Sequence, residues 1–203
     1  MKYKWLNKQN NNKLIVFFNG WGMDETVVKH LEPEILDVIM FYDYNSLSTD
    51  FDFNLLKNYF SKYLIARSMG VMTATLFQID YDSKTAVNGT LKPIDDKYGI
   101  PNRIYDLTIK NLTPSGLIKF IENMGLNSDI IPEINNDFEN QKSALLQLKN
   151  YQSNPKFKYD RIILSSDDKI IPSKNQSKFW GIEPNTQSGH SPFHLFKKWS
   201  DLL

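Results

Sequence analysis

The chain of 203 residues contains no cysteine. That excludes a disulfide framework, a thiolate zinc site and a cysteine nucleophile, and it fits a reducing compartment. Neither sign of charge is in excess: 24 Lys and Arg against 23 Asp and Glu leave a net +1. No general attraction to nucleic acid or to an anionic membrane surface is therefore expected. Long apolar runs are also missing; no segment approaches the roughly 20 residues that cross a bilayer. Met1-Lys2-Tyr3-Lys4-Trp5 lacks the apolar stretch of a signal peptide. A cytoplasmic, soluble monomer is the expectation, and the glycosylation-like triplets at Asn88, Asn111 and Asn175 are read as chance in an Asn-rich chain. Histidine is scarce, limited to His30, His190 and His194.

What is present is an alternating pattern. Leu14-Ile15-Val16-Phe17-Phe18, Val38-Ile39-Met40-Phe41-Tyr42, Tyr63-Leu64-Ile65, Thr85-Ala86-Val87 and Arg161-Ile162-Ile163-Leu164 read as buried strands, with residues 3–6 as an edge strand. Helical patterns are expected between them: from Asp24 through Leu31, around Leu55 to Phe60, and from Ser68 to near Tyr81. A helix over Ser173 to Trp180, a weak strand near Ile182 to Thr186 and a last helix through Leu195 to Leu202 complete the pattern. The expected class is α/β, a mostly parallel central sheet with helices on both faces, in a single domain over residues 1–203. From about 90 to 155 the strands stop. Loops with Pro93, Gly99 and Pro101 give way to one helix opening at Thr113-Pro114 and another from about Asn136 to Tyr151. This insertion reads as a small helical lid, with helices packed on a sheet face as the alternative.

Ser68 stands between Ala66 and Gly70, where a strand meets a helix. Small residues on both sides of a serine at such a corner form a nucleophile elbow, which aims the Met69 N–H at a developing oxyanion. The alternative is a serine that only caps a helix. Gly20-Trp21-Gly22 follows the second strand. With Glu25 where a third glycine would stand, it does not fit a dinucleotide loop. It reads instead as a second oxyanion arm carrying the Trp21 N–H. His190 lies in a loop before Ser191-Pro192, where a general base can reach a sheet edge. The His190–His194 spacing also resembles a metal pair, but a helix expected to begin between them argues against that, and no metal or other cofactor is expected. Asp167 and Asp168 follow the strand of residues 161–164, and the residues alone do not separate them as the acid that orients an imidazole. The chain order serine, acid, histidine is that of the α/β-hydrolase fold.

Asn19-Gly20-Trp21-Gly22-Met23-Asp24, Arg67-Ser68-Met69-Gly70-Val71, Asn88-Gly89-Thr90 and Gly189-His190-Ser191-Pro192-Phe193 together resemble the BioG-type pimeloyl-acyl-carrier-protein methyl ester esterases over nearly the whole chain. The resemblance implies Ser68 as nucleophile, Asp168 as acid, His190 as base, and Trp21 and Met69 as the oxyanion hole. It implies removal of a methyl group from the ester of a pimeloyl chain on acyl carrier protein, in biotin synthesis, with an apolar tunnel under the lid. Ala66 departs from the commoner elbow glycine, and Asn19 stands where related BioH-type esterases have histidine. Substrate-contacting lid residues are not transferred. Lys92, Lys97, Arg103, Lys110, Lys119 and Lys142 are candidate contacts for the acidic carrier, or ordinary solvated side chains. A broader carboxylesterase or thioesterase, and a non-catalytic binding protein on the same fold, are the alternatives.

Overall fold

Every position of Leu14–Phe18 is apolar and buried, so this strand is packed on both faces. In a computed structural model, which describes residues 1–126 and 137–203, it lies inside a six-stranded sheet. The strands are β1 (Lys2–Asn7), β2 (Lys13–Phe18), β3 (Asp37–Tyr42), β4 (Ser61–Arg67), β5 (Ser83–Val87) and β6 (Arg161–Ile163), in spatial order β1-β3-β2-β4-β5-β6. Only β1 is antiparallel, along the free side of β3; the other pairings are parallel, with Phe18 opposite both Phe41 and Ala66, and Ala66 opposite Ala86. From β2 the chain moves outward to β3 on one side, then crosses back to β4 on the other. The carboxyl ends of β2 and β4 therefore flank a topological switch point, where the connecting loops diverge and leave a crevice.

Alternation along β2 sends neighbouring rings to opposite faces. Phe18 stacks on Phe41 at 5.2 Å, and Phe41 and Phe77 both stack on Phe53, at 5.7 and 5.4 Å. Phe17 meets Phe193 and Trp199 edge-on at 5.7 and 5.3 Å, which ties the last residues of the chain to the sheet.

The helices are fewer and shorter than expected on this part of the chain. Asp24 does cap, its carboxylate accepting the Thr26 N–H at 2.9 Å, but only a single 3₁₀ turn, Glu25–Val27, follows. The β-branched run Thr26-Val27-Val28 and the breaker Pro33 give no support to a longer helix. Phe53–Asn58 is likewise 3₁₀ rather than the expected helix, and Phe60, expected to belong to that helix, lies beyond it and is 84% exposed. The helix after Ser68, α1 (Met69–Thr73), ends in a 3₁₀ turn at Leu76 rather than near Tyr81. Thr73 and Thr75 turn their hydroxyls back onto the carbonyls of Met69 and Met72. The expected last helix is two 3₁₀ turns, Pro192–Leu195 and Trp199–Leu202. Between them the backbone pairs with Glu32, which bonds both Lys197 and Trp199. The weak strand near Ile182 to Thr186 is reduced to one bridge, Ser165 to Thr186.

Between β5 and β6 lie α2 (Asn102–Lys110), α3 (Pro114–Asn123) and α4 (Phe138–Leu148). Thr113 caps α3 as expected, accepting the Gly116 N–H at 3.1 Å. The expected start of α4 at Asn136 lies outside the described residues, as does the part of the expected insertion over 127–136. The helix α2 falls in a stretch read as loop, because Pro93, Gly99 and Pro101 masked the periodicity that follows them. The fifth helix, α5 (Ser173–Trp180), has the expected bounds. Among the described residues no helix is long and apolar enough to cross a membrane.

The turn from β1 to β2 is organised by Asp37, fully buried at the start of β3. It accepts the backbone N–H groups of Gln9 and Asn11, the Asn11 amide and the Tyr59 hydroxyl, all within 3.2 Å. Burial opposes its charge, but these donors outweigh burial and hold the carboxyl below its ordinary value of 3.8. Asp37 thus stabilises the fold above that value, and the contribution is lost as pH falls through the lower folded value. Asp37→Ala should cost about 1–3 kcal/mol at pH 7, read as a fall in Tm of roughly 2–12 °C. The gap from wild type should narrow towards pH 2; a gap independent of pH would show that the charge is not what holds the turn.

Candidate active site

Ser68 joins β4 to α1 with φ 55° and ψ −123°, a strained backbone for a residue with a side chain. The corner is held by close approach. A Cβ on Gly70 would lie 2.2 Å from the Phe18 carbonyl oxygen and 2.6 Å from that of Asn19. A Cβ on Gly89 would lie 2.5 Å from the Ser68 carbonyl oxygen. Glycine is therefore required at both positions, whereas Ala66, fully buried in β4 between Phe18 and Ala86, has room for its methyl group.

His190 Nε2 lies 2.8 Å from Ser68 Oγ, and His190 Nδ1 lies 2.8 Å from Asp168 Oδ2. All three residues are buried. An ionised carboxylate only accepts hydrogen bonds, so a neutral His190 carries its proton on Nδ1 and presents the Nε2 lone pair to the serine O–H. Asp168 is itself fixed: its Oδ1 accepts the N–H groups of Ile170 and Ile171, and its Oδ2 also accepts from Gln176 Nε2 at 2.8 Å. Asp167 is exposed and accepts from Ser166 instead. Burial lowers the pKa of His190 below its ordinary 6.5, with the Arg67 charge adding to the effect and Asp168 opposing it. Such a line can accept the serine proton as the hydroxyl attacks an acyl carbon.

The Gly20-Trp21-Gly22 turn faces this line across a cavity of about 130 Å³ lined by Trp21, Ser68, Met69 and His190. Met69 opens α1, so its N–H is one of the first-turn donors that a helix does not satisfy. Asn19 shapes the turn: its Oδ1 accepts the Gly20 N–H, its amide donates to the Asp24 carbonyl, and its own carbonyl accepts the Tyr44 hydroxyl at 2.6 Å. The Trp21 indole donates to the Gln141 carbonyl of α4 at 3.0 Å and meets Phe120 of α3 edge-on. The outer cavity wall is apolar, from Ile104 and Tyr105 of α2, Phe120 of α3, Met124 at the end of α3, and Leu145 of α4.

The other two histidines lie elsewhere: His30 bonds the Phe193 carbonyl and His194 that of Ser191. Among the described residues no group of three or more His, Asp or Glu is arranged to hold a metal ion. The six candidate basic residues are exposed; Lys119 lines a second groove, between α2 and α3, that shares Trp21 and Phe120 with the cavity.

Three positioning residues were missed on the sequence. Asn88, in the left-handed region at φ 43°, donates to Ser165 Oγ and to the carbonyls of Gly189 and His190, and accepts the Ser165 N–H. It fastens the His190 loop to the ends of β5 and β6. Its local signal was an Asn-Gly pair after a strand, which reads as an ordinary turn, and the Asn88-Gly89-Thr90 stretch of the resemblance carried no role for it. Gln176 had no signal, and Arg67 was visible as a charge inside an apolar run and as part of the Arg67–Val71 stretch, with no role attached to it.

Gly70→Ala should destabilise the fold by about 1–3 kcal/mol or more, because the neighbours that obstruct the new methyl group are backbone. Thermal unfolding measures this; an unchanged Tm would mean the elbow is looser than its geometry.

The model of the family described as "Pimeloyl-ACP methyl esterase BioG" matches residues 1–202. The crystal structure of BioG from Haemophilus influenzae has 32% identity, covers 100% of this chain and 99% of that one, and superposes with a TM-score of 0.88. A malonyl-[acyl-carrier protein] O-methyltransferase of Bacteroides fragilis is 38% identical over 180 residues, which are 82% of this chain; the chain spans only 36% of that protein. An α/β-hydrolase fold protein from Burkholderia ambifaria, at 15% identity over 94% of this chain and 88% of its own, has a TM-score of 0.59. The fold is that of the α/β hydrolases.

Proposed function

We propose that this chain, which belongs to the BioG family, is a serine carboxylic ester hydrolase that removes the methyl group from pimeloyl-[acyl-carrier protein] methyl ester in biotin synthesis. The observation that most directly supports this is the buried line Ser68–His190–Asp168, with 2.8 Å at each link. In the proposed reaction, His190 Nε2 takes the Ser68 proton as Oγ attacks the ester carbonyl. The N–H groups of Trp21 and Met69 receive the oxyanion. The tetrahedral intermediate collapses, His190 returns the proton, and methanol leaves. Water, deprotonated by the same imidazole, then clears the acyl-enzyme. Asp168 keeps the proton on Nδ1 throughout and stabilises the imidazolium that forms.

The methyl ester hides a carboxylate that would be costly to place in apolar pockets during chain elongation. Removing it is chemically paired with putting it on, and a segment like this chain lies within a protein named for methylating malonyl-[acyl-carrier protein]. The helices between β5 and β6 act as the lid of the single domain. The acyl chain runs among the apolar side chains of α2, α3 and α4, and the carrier protein docks at the rim near Lys119.

Incubating the purified protein with the methyl-ester carrier substrate tests the reaction. Ser68→Ala should lower turnover by about 10⁴-fold or more while leaving Tm near wild type. Asp168→Asn should be similarly damaging, about 10⁴-fold, through the wrong tautomer, and Asp167→Asn should not. Full turnover in Ser68→Ala would reject the assignment, and a strong preference for short p-nitrophenyl esters would move the function to a general carboxylesterase. The base must be neutral, so activity is kept above its pKa and lost below it. With the His190 pKa lowered, the midpoint of the acid limb should fall below 6.5. A midpoint above that value in the rate of the chemical step would contradict His190 as base.

A further inference from the structure

Arg67 is the last residue of β4, next to Ser68, and it is fully buried. Its guanidinium has almost nothing to bond. Nη2 donates to the Met124 sulfur at 3.4 Å, a weak acceptor, and Nε and Nη1 have no hydrogen-bond partner among the described residues. Burial lowers its pKa from 12.5 to about 10, which leaves it charged at neutral pH. A buried cation short of hydrogen-bond acceptors is costly; the charge of Asp168 offsets part of that cost, and the unbonded Nε and Nη1 leave a place for a further anion.

The position of the guanidinium points to which anion. Nη1 would lie 2.9 Å from a Cβ on Gly20, so the group packs against the turn that carries Trp21. Arg67 lines the same cavity as Ser68, Met69 and His190. The titratable groups facing it are Asp168, Tyr44 and His190, with Tyr105 and Lys169 further along the cavity wall. Hydrolysis of an ester through an acyl-enzyme places negative charge in this cavity on the tetrahedral oxygen of each step and then on the carboxylate of the acid product. Apolar walls welcome neither.

Resting on the esterase reading above, we propose that the Arg67 guanidinium is an anion site of the catalytic cavity, meeting the oxyanion during the reaction and the carboxylate of the acid product after it. The same charge helps keep His190 neutral at the pH where it must accept a proton. Product acids of medium chain length should therefore bind the free enzyme and inhibit it, where their neutral analogues do not.

Two measurements on the full chain test this, with wild type, Arg67→Gln and Arg67→Lys. Calorimetry at pH 8 compares hexanoate with hexanamide, which differ in charge and little in shape. Hexanoate should bind wild type at least about 10-fold more tightly, should lose that preference in Arg67→Gln and should keep part of it in Arg67→Lys. In methyl hexanoate hydrolysis, Arg67→Gln should lower kcat by about 100-fold with little change in KM, as for loss of an oxyanion donor. Its acid limb should move to higher pH, and that of Arg67→Lys should move part of the way. Equal binding of acid and amide by wild type would overturn the proposal, as would an acid limb that stays put while kcat falls in step with Tm. The N–H groups of Trp21 and Met69 also favour an anion, so if Arg67→Gln does not fold, Arg67→Lys decides: an unchanged preference for hexanoate and an unmoved acid limb would overturn the proposal. A wild type that prefers hexanoate yet hydrolyses no ester sinks the esterase reading and leaves the anion site standing; one that hydrolyses without that preference does the reverse.

Discussion

Close backbone packing around Ser68 is the constraint on which the rest of the molecule depends. The serine backbone sits in a left-handed conformation, wedged between the end of β2 on one side and the turn after β5 on the other. Strain of this kind persists only where the surroundings leave no alternative. Here the surroundings are the parallel registers of β4 with β2 and with β5, and two glycines that let three backbone segments meet without a side chain between them. The sheet is the frame, and the elbow is the point where its strands come closest.

The same geometry collects the polar groups. β2, β4, β5 and β6 run parallel, so their carboxyl ends share one edge of the sheet. Asn19, Ser68, Asn88 and Asp168 follow those four strands in turn, and His190 is drawn to them by the side chain of Asn88. Fixed donors set the electrostatics. Two backbone N–H groups and Gln176 hold Asp168 as an acceptor, while burial and the neighbouring guanidinium press the imidazole toward its neutral form. A neutral imidazole on a fixed carboxylate is ready to take a proton, and the desolvation that makes it so also strengthens each interaction that steadies the resulting charge.

Trp21 links the turn to its cover. Its backbone belongs to the turn beside Ser68, while its ring reaches α3 and α4 through Phe120 and the Gln141 carbonyl. Movement of either helix therefore bears on the turn itself. Among the described residues, α2, α3 and α4 between β5 and β6 line the cavity, and one side chain couples α3 and α4 to the turn beside Ser68.

The strands, the elbow, the capped start of α3 and the bounds of α5 were all legible in the amino-acid order, because each rests on local chemistry: an unbroken apolar run, small residues flanking a serine, Thr before Pro, Pro before Ser. The helices around the sheet were not. The apolar spacing of residues 25–31, 53–60 and 192–202 suits a helix, yet a β-branched run at Thr26-Val27-Val28 and pairing with distant backbone, Glu32 with Lys197 and Trp199 and Phe60 with Asn12, leave only short 3₁₀ turns there. Likewise the residues alone offered Asp167 and Asp168 as equals. Only the assembled sheet separates them, by burying one against His190 and Gln176 and leaving its neighbour in water. The buried Arg67, with Nε and Nη1 left without hydrogen bonds, is of the same kind: adjacency to Ser68 can be read from the order of residues, but what surrounds a guanidinium depends on chain segments far apart in sequence, and those meet only when the strands align.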